Sequence, residues 1–226
     1  MSFLAAANAA TPIPAPPQVA AKNYILVDFN SGRLLAEKDA DEQVEPASIT
    51  KLMTGYVIYR ELDSGRMSLD DMVTISEKAW RMGGSRMYVE VGKQVSVREL
   101  LKGMVIQSGN DATVALAEHI VGTEDAFVQL MNEYAAQLGM TNTMFVNSTG
   151  WPAEGHLTTA RDISKLAIAV IAEVPEYYSW YKEKVYTYNN IKQYNRNKLL
   201  WRDNSVDGMK TGHTESAGYC LVSSAI

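Results

Sequence analysis

One cysteine, three histidines and no long apolar run set the first limits on this 226-residue chain. A lone Cys220 closes no intramolecular disulfide, and within Gly218-Tyr219-Cys220-Leu221-Val222 its ordinary reading is a buried structural thiol. His119, His156 and His213 stand in no H-E-x-x-H or similar spacing, so metal hydrolysis is disfavoured and neither a metal nor a cofactor is expected. No G-x-S-x-G elbow occurs, which disfavours a Ser-His-Asp hydrolase. The longest apolar segment, Leu166 to Ala172, falls far short of the roughly 18 residues that a spanning helix needs, and reads as a buried helix in a soluble body. Positive charge is short too: 21 Lys and Arg stand against 26 Asp and Glu, a net charge of −5, so no basic face is signalled and no nucleic-acid partner is expected.

What is present is an ordinary globular composition, 46% apolar and 21% charged, enough for one sizeable core. Residues 1–20 stand apart. Leu4 to Ala10 reads either as the end of a secretory signal lacking its basic n-region or as a loose tail, and Thr11 to Pro17 as a stiff extended leader. Residues 21–226 form the single folded domain.

Tyr24 to Phe29 and Leu34 to Glu37, joined by the turn Asn30-Ser31-Gly32-Arg33, predict a hairpin. Pro46-Ala47-Ser48 opens a helix with apolar Ile49, Leu52, Met53 and Tyr56, ended by Gly65, which puts Ser48 in its first turn. Further helices are predicted over Val97 to Gln107, Asp111 to Ile120, Asp125 to Leu138 and Thr159 to Glu173. Strands return at Val185 to Tyr188, Val206 to Lys210 and Gly218 to Ser223. The pattern predicts an α/β (α+β) fold, with one antiparallel sheet built from both chain ends, flanking helices and an inserted all-helical lobe over about residues 67–160. The last strand runs to the end of the chain without a turn, so the sheet is expected to be cut short.

Three motifs carry chemistry. Ser48-Ile49-Thr50-Lys51 puts a hydroxyl and an amine on one helix face, near backbone N–H groups and the positive end of a helix. A base near pH 7 requires the lysine, ordinarily near pKa 10.4, to be shifted by about 4 kcal/mol of differential stabilisation, which burial and a second cation supply. S-x-x-K alone is weak, since on the order of one chance match is expected in such a chain. Ser179-Trp180-Tyr181-Lys182 also fits it, but opens no amphipathic helix. Ser108-Gly109-Asn110 falls between two helices, where Ser and Asn also serve as caps. Lys210-Thr211-Gly212 lies on a strand: Gly admits a substrate backbone, Thr offers a hydroxyl to a carboxylate and Lys adds positive potential.

These motifs, with Pro46 to Thr54, Asp207 to Thr214, Asn195 to Trp201 and Trp80 to Met87, resemble the serine D-alanyl-D-alanine carboxypeptidases, low-molecular-mass penicillin-binding proteins of the 5/6 type. The resemblance covers Asn23 to the end. It implies that Ser48 attacks the penultimate D-alanine carbonyl of a peptidoglycan stem peptide, with Lys51 as general base and Ser108 passing a proton to the leaving group. Asn110 would hold the substrate amide, Lys210, Thr211 and Gly212 would orient it, and the backbone N–H groups of Ser48 and His213 would hold the oxyanion. It further implies covalent inhibition by β-lactams and a periplasmic location. The family's further strand, long helix and carboxylate-binding arginine, its β-rich C-terminal domain and its membrane-associating tail are expected to be missing.

The rival is a class A β-lactamase, which shares S-x-x-K and K-T-G but deacylates through a glutamate-held water. Gly150 to His156 offers only Glu154 and lacks E-x-x-L-N, so slow release of penicillin is expected. His156 reads as a loop histidine bonded to backbone, with the positioning of water as its alternative. A degenerate peptidoglycan-binding form would require a broken motif, and none is broken.

Overall fold

A computed structural model describes residues 19–226. The signal or tail and the proline-rich leader, residues 1–18, lie outside the described residues.

The chain begins with the hairpin β1 (Tyr24–Val27) and β2 (Leu34–Lys38), followed by a 3-10 turn at Ala47–Thr50 that runs into α1 (Lys51–Asp63). Next come β3 (Met72–Thr74), α2 (Glu77–Trp80), β4 (Gln94–Ser96) and α3 (Val97–Lys102), which continues as a π-helical turn, Gly103–Gln107. Helices α4 (Asn110–Val121), α5 (Glu124–Gln137), α6 (Ala160–Glu173) and α7 (Pro175–Tyr178) follow. The chain closes with two more hairpins, β5 (Val185–Tyr188) with β6 (Ile191–Tyr194), and β7 (Val206–Thr214) with β8 (Gly218–Ala225).

Helix α1 is the centre of the core. Ten of its thirteen residues are buried, Lys51 among them, because α4, α5 and α6 all pack against it. From Lys51 to Tyr59 the helix is enclosed on every side and offers no solvated face, so a lysine there is stripped of water whatever its propensity. Local chemistry starts the surrounding helices: Ser76, Ser96, Thr123 and Thr159 each accept a backbone N–H three residues on, at 3.0, 3.3, 3.2 and 3.1 Å, so each helix begins where a side chain replaces a missing intrahelical partner.

The class is as expected, mixed α and β with antiparallel pairing, but the assembly differs in three ways. First, the described strands form four separate two-stranded sheets, and β1–β2 is not hydrogen-bonded to β7–β8. Each hairpin has its own support: β1 lies against α6, whereas β7 lies against the 3-10 turns at Ala47–Thr50 and Ser179–Lys182. Second, the middle lobe is not all helical. It holds the β3–β4 hairpin, whose strands each bury one residue, Val73 or Val95, too little to leave a readable period in the sequence. Third, the helix predicted from Pro46 starts α-helical hydrogen bonding only at Lys51, since Ala47 adopts a left-handed φ of 46°. Ser48 therefore sits on a tight turn ahead of α1.

Candidate active site

The Ser48 turn is held from two sides by glycines, of which Gly150 leaves no room for a side chain and Gly212 very little. A Cβ on Gly150, whose φ is +83°, would lie 1.7 Å from the Ala47 carbonyl oxygen; one on Gly212 would lie 3.1 Å from the Ser48 nitrogen. Strand β7 and the loop after Asn147 thus touch the turn backbone to backbone.

Lys51 and Ser48 meet through this turn. Lys51 Nζ lies 3.0 Å from Ser48 Oγ, 2.7 Å from Asn110 Oδ1 and 2.7 Å from the Thr149 carbonyl oxygen. Asn110 Nδ2 donates to the Gly83 carbonyl at 2.8 Å, which fixes the amide so that its oxygen faces the lysine. Both Asn110 Oδ1 and Thr149 O only accept. A neutral amine gives them its two N–H groups and turns its lone pair to the Ser48 hydroxyl. Burial, then the nearby charges of Lys210 and Arg196, hold the Lys51 pKa well below its ordinary value, with Asp111 opposing.

The second and third motifs form a matching pair. Lys210 Nζ donates to Ser108 Oγ at 2.9 Å and to the Thr211 carbonyl at 2.7 Å. Burial and Arg196 lower the Lys210 pKa to about 7. Ser108 is left-handed, φ 67°, and closes the π-helical turn, a local widening of the helix that swings its hydroxyl out of the α-helical path. Thr211 is half-buried, Gly212 is buried against the Ser48 turn, and His213, next along β7, is exposed with its ring 4.3 Å from that of Tyr219.

Three anchors of this geometry carried no motif. Asp111, buried at the start of α4, accepts the backbone N–H groups of Met87, Tyr88 and Val89 at 2.9, 2.8 and 3.2 Å. Asn147 Oδ1 accepts from the backbone N–H groups of Thr149, Gly150 and Trp151 at 3.2, 2.8 and 3.0 Å, curling the loop under Lys51. Glu124 Oε1 accepts from Ser148 N at 3.0 Å and Ser148 Oγ at 2.6 Å, while its other oxygen pairs with Lys78 at 2.8 Å. Asn147 and Glu124 together place the Thr149 carbonyl that accepts from Lys51, while Asp111 ties the 87–89 segment to the start of α4. An Asp directly after the S-G-N motif and an Asn three residues ahead of Gly150 were the available signals, and Asx side chains at such turns are a known backbone device.

His156 is buried. Its Nδ1 accepts from Val146 N at 3.4 Å, so Nε2 carries the proton and donates to Thr50 Oγ1 at 3.0 Å. Burial lowers its pKa to about 4. The bonded loop histidine is what the structure holds. Glu154, beside it, is exposed. Cys220 is half-buried, against the expected full burial: it lies on the inner side of β8, between the solvent-facing Tyr219 and Leu221, and that side is itself only partly covered; burial still raises its thiol pKa. His119 is exposed on α4. Among the described residues, no helix is long and apolar enough to cross a membrane.

The sequence matches a family described as D-alanyl-D-alanine carboxypeptidase over residues 9–226. It is 48% identical over 237 residues to the D-alanyl-D-alanine carboxypeptidase DacA of Escherichia coli K12, covering 99% of this chain and 59% of that protein. The crystal structure of penicillin-binding protein 5 from Haemophilus influenzae superposes with a TM-score of 0.91 at 47% identity, over 94% of this chain and 63% of that one. Penicillin-binding protein D2 of Listeria monocytogenes, in an ampicillin-bound form, gives a TM-score of 0.84 at 29% identity, over 94% of this chain and 87% of that one. The chain thus spans about three fifths of the first two relatives' lengths. It belongs to the D-alanyl-D-alanine carboxypeptidase family.

Proposed function

We propose that the chain carries the catalytic machinery of a serine D-alanyl-D-alanine carboxypeptidase acting on peptidoglycan stem peptides in the periplasm. One observation carries the reading: the Lys51 amine lies 3.0 Å from the Ser48 hydroxyl, with its other hydrogen-bonding directions taken by two acceptors. Ser48 Oγ attacks the carbonyl of the penultimate D-alanine as Lys51 takes its proton. The negative oxygen rests on the backbone N–H groups of Ser48 and His213. The C–N bond then breaks, and the proton returns through Ser108, paired with Lys210, to the departing D-alanine nitrogen. Water attacks the acyl-Ser48 ester, a proton passes back to Ser48, and the shortened peptide leaves. Asn110, Thr211 and Gly212 hold the substrate chain against β7.

A β-lactam closes the same ester but leaves no departing amine, so its adduct persists unless a carboxylate activates water. Glu154 is exposed and Glu124 is committed to Ser148 and Lys78, which favours a long-lived penicilloyl adduct over a β-lactamase. Incubation with a fluorescent penicillin is expected to add one acyl group at Ser48 with a lifetime of minutes or more, and a D-alanyl-D-alanine pentapeptide is expected to release D-alanine. Absence of both from the wild-type protein contradicts the proposal; rapid catalytic turnover of penicillin converts it to the β-lactamase reading.

A further inference from the structure

Lys51 draws its two acceptors from different parts of the chain. The Asn110 oxygen is aimed by the 83–85 segment: Asn110 Nδ2 donates to the Gly83 carbonyl at 2.8 Å and Asn110 N to the Ser85 carbonyl at 2.7 Å. The Thr149 carbonyl belongs instead to the loop that Asn147 curls. Among the described residues no hydrogen bond joins these two segments directly, so the short hydrogen-bonded path from one to the other runs through Lys51 itself.

The Trp151 ring spans the gap between them. A Cβ on Gly83 would lie 3.4 Å from that ring, and among the described residues nothing else comes within 4 Å of it. A Cβ on Gly84, where φ is +72°, would lie 3.1 Å from the ring and 3.0 Å from Asn110 Nδ2, so the glycine backbone is packed close to both. Two successive glycines have the freest backbone a chain can offer, and their placing depends on what covers them. The cover is itself well anchored. Asn147 Oδ1 accepts from Trp151 N at 3.0 Å, Asn147 Nδ2 donates to the Trp151 carbonyl at 2.8 Å, and Trp151 N also reaches Thr149 Oγ1 at 3.2 Å. Pro152, next in the chain, disfavours helical backbone at Trp151. This indole is half-exposed, and the chemistry above makes no use of it.

We propose that Trp151 is a positioning residue for the acylation step: its ring clamps the Gly83–Gly84 backbone to the Asn147–Trp151 loop, which keeps the Asn110 oxygen and the Thr149 carbonyl together on Lys51. The inference rests on the Ser48 acylation reading and adds to it a device that closes the surroundings of the lysine to water. Burial is the first cause of the low Lys51 pKa. Loss of the ring leaves Lys210, Arg196 and Asp111 in the chain as before, so water admitted between the two segments raises that pKa.

The test is the second-order rate of Ser48 acylation by penicillin, followed against pH in the whole protein. Trp151→Ala is expected to lower the rate roughly tenfold at about pH 7 and to move its acid limb up by about one pH unit. Trp151→Phe keeps a flat apolar cover and is expected to bring the rate back to within about threefold, with the limb at its wild-type position. Amide hydrogen exchange in Trp151→Ala is expected to quicken over residues 83–86 and to stay unchanged in α1, a local loosening that separates the clamp from general destabilisation. An acid limb that stays in place in Trp151→Ala overturns the clamp, whatever happens to the melting temperature. So do unchanged exchange over 83–86 and a phenylalanine variant no better than the alanine one. A higher KM for a D-alanyl-D-alanine pentapeptide with an unmoved limb would make the ring a substrate contact instead. Wild-type labelling separates the two levels: a stable adduct with a limb indifferent to Trp151 removes the clamp alone, whereas no adduct removes the acylation reading.

Discussion

Ser48 to Lys51 and Ser179 to Lys182 share one four-residue pattern in one chain, and they have opposite surroundings. Both serines lie on short 3-10 turns. Around the first, α1 is enclosed by three other helices, a loop carbonyl and an amide oxygen meet the lysine, and a second cation stands near. Around the second, Ser179 and Lys182 are exposed, the serine hydroxyl donates to the Glu176 carbonyl at 2.6 Å, and only Tyr181 is buried. The i, i+3 spacing brings a hydroxyl and an amine to one face in either place. What distinguishes them is desolvation, which holds the Lys51 pKa well below its ordinary value, while Lys182 stays exposed to solvent.

The largest test of that difference is to remove each serine. Ser48→Ala is expected to abolish penicillin acylation, a loss beyond about 10³-fold, while Ser179→Ala is expected to stay within about twofold of wild type, as measured by covalent labelling. Labelling that survives Ser48→Ala would break the contrast outright.

Next comes the scaffold of the first turn. Gly150→Ala is expected to cost several kcal/mol and at least about a hundredfold in acylation, because its Cβ would overlap the Ala47 carbonyl. Gly155→Ala, at a similar φ of +77° but with nothing within 4 Å, is expected to cost only about 1 kcal/mol and to leave labelling intact. Equal effects at the two glycines would mean that close approach to the Ser48 turn is unimportant.

Glu124 tests whether a residue remote from the reacting atoms sets the lysine. Glu124→Ala strands two buried donors of Ser148, so about 2–3 kcal/mol of stability and roughly tenfold in acylation should be lost. Glu124→Gln retains an acceptor and should recover most of the acylation rate.

The effect expected to touch acylation least is a pH dependence of stability at His156. Its native pKa of about 4 lies below its ordinary 6.5, so between those values the unfolded chain binds a proton that the native state refuses. Stability therefore falls as pH drops through that window, by up to on the order of 3 kcal/mol, and His156→Gln is expected to flatten the slope in chemical denaturation.

These contrasts also mark what the sequence could reveal. Ser48, Lys51, Ser108, Asn110 and Lys210 sit in short patterns, and hydrogen bonds link them as Ser48–Lys51–Asn110 and Ser108–Lys210. The main helices fall within a few residues of their predicted bounds, because capping residues and apolar period are local signals. The π-helical turn before Ser108 left no such signal, since its widening answers packing against the β5–β6 hairpin and α4, distant or later in the chain. Glu124 was silent for the same reason, since it acts on Ser148, which only the folded chain brings to it, whereas Asp111 and Asn147 left only the faint local signals of an Asx residue beside a motif or a glycine.

The most direct test of the central claim, that burial beside Lys210 and Arg196 makes Lys51 a neutral base, is the pH profile of the second-order rate of Ser48 acylation by penicillin. A Lys51 pKa held well below its ordinary value predicts a rate that falls on the acid side and levels off before the range in which an ordinary lysine titrates. A rate that keeps climbing to about pH 10 or above, following an ordinary lysine, would contradict it.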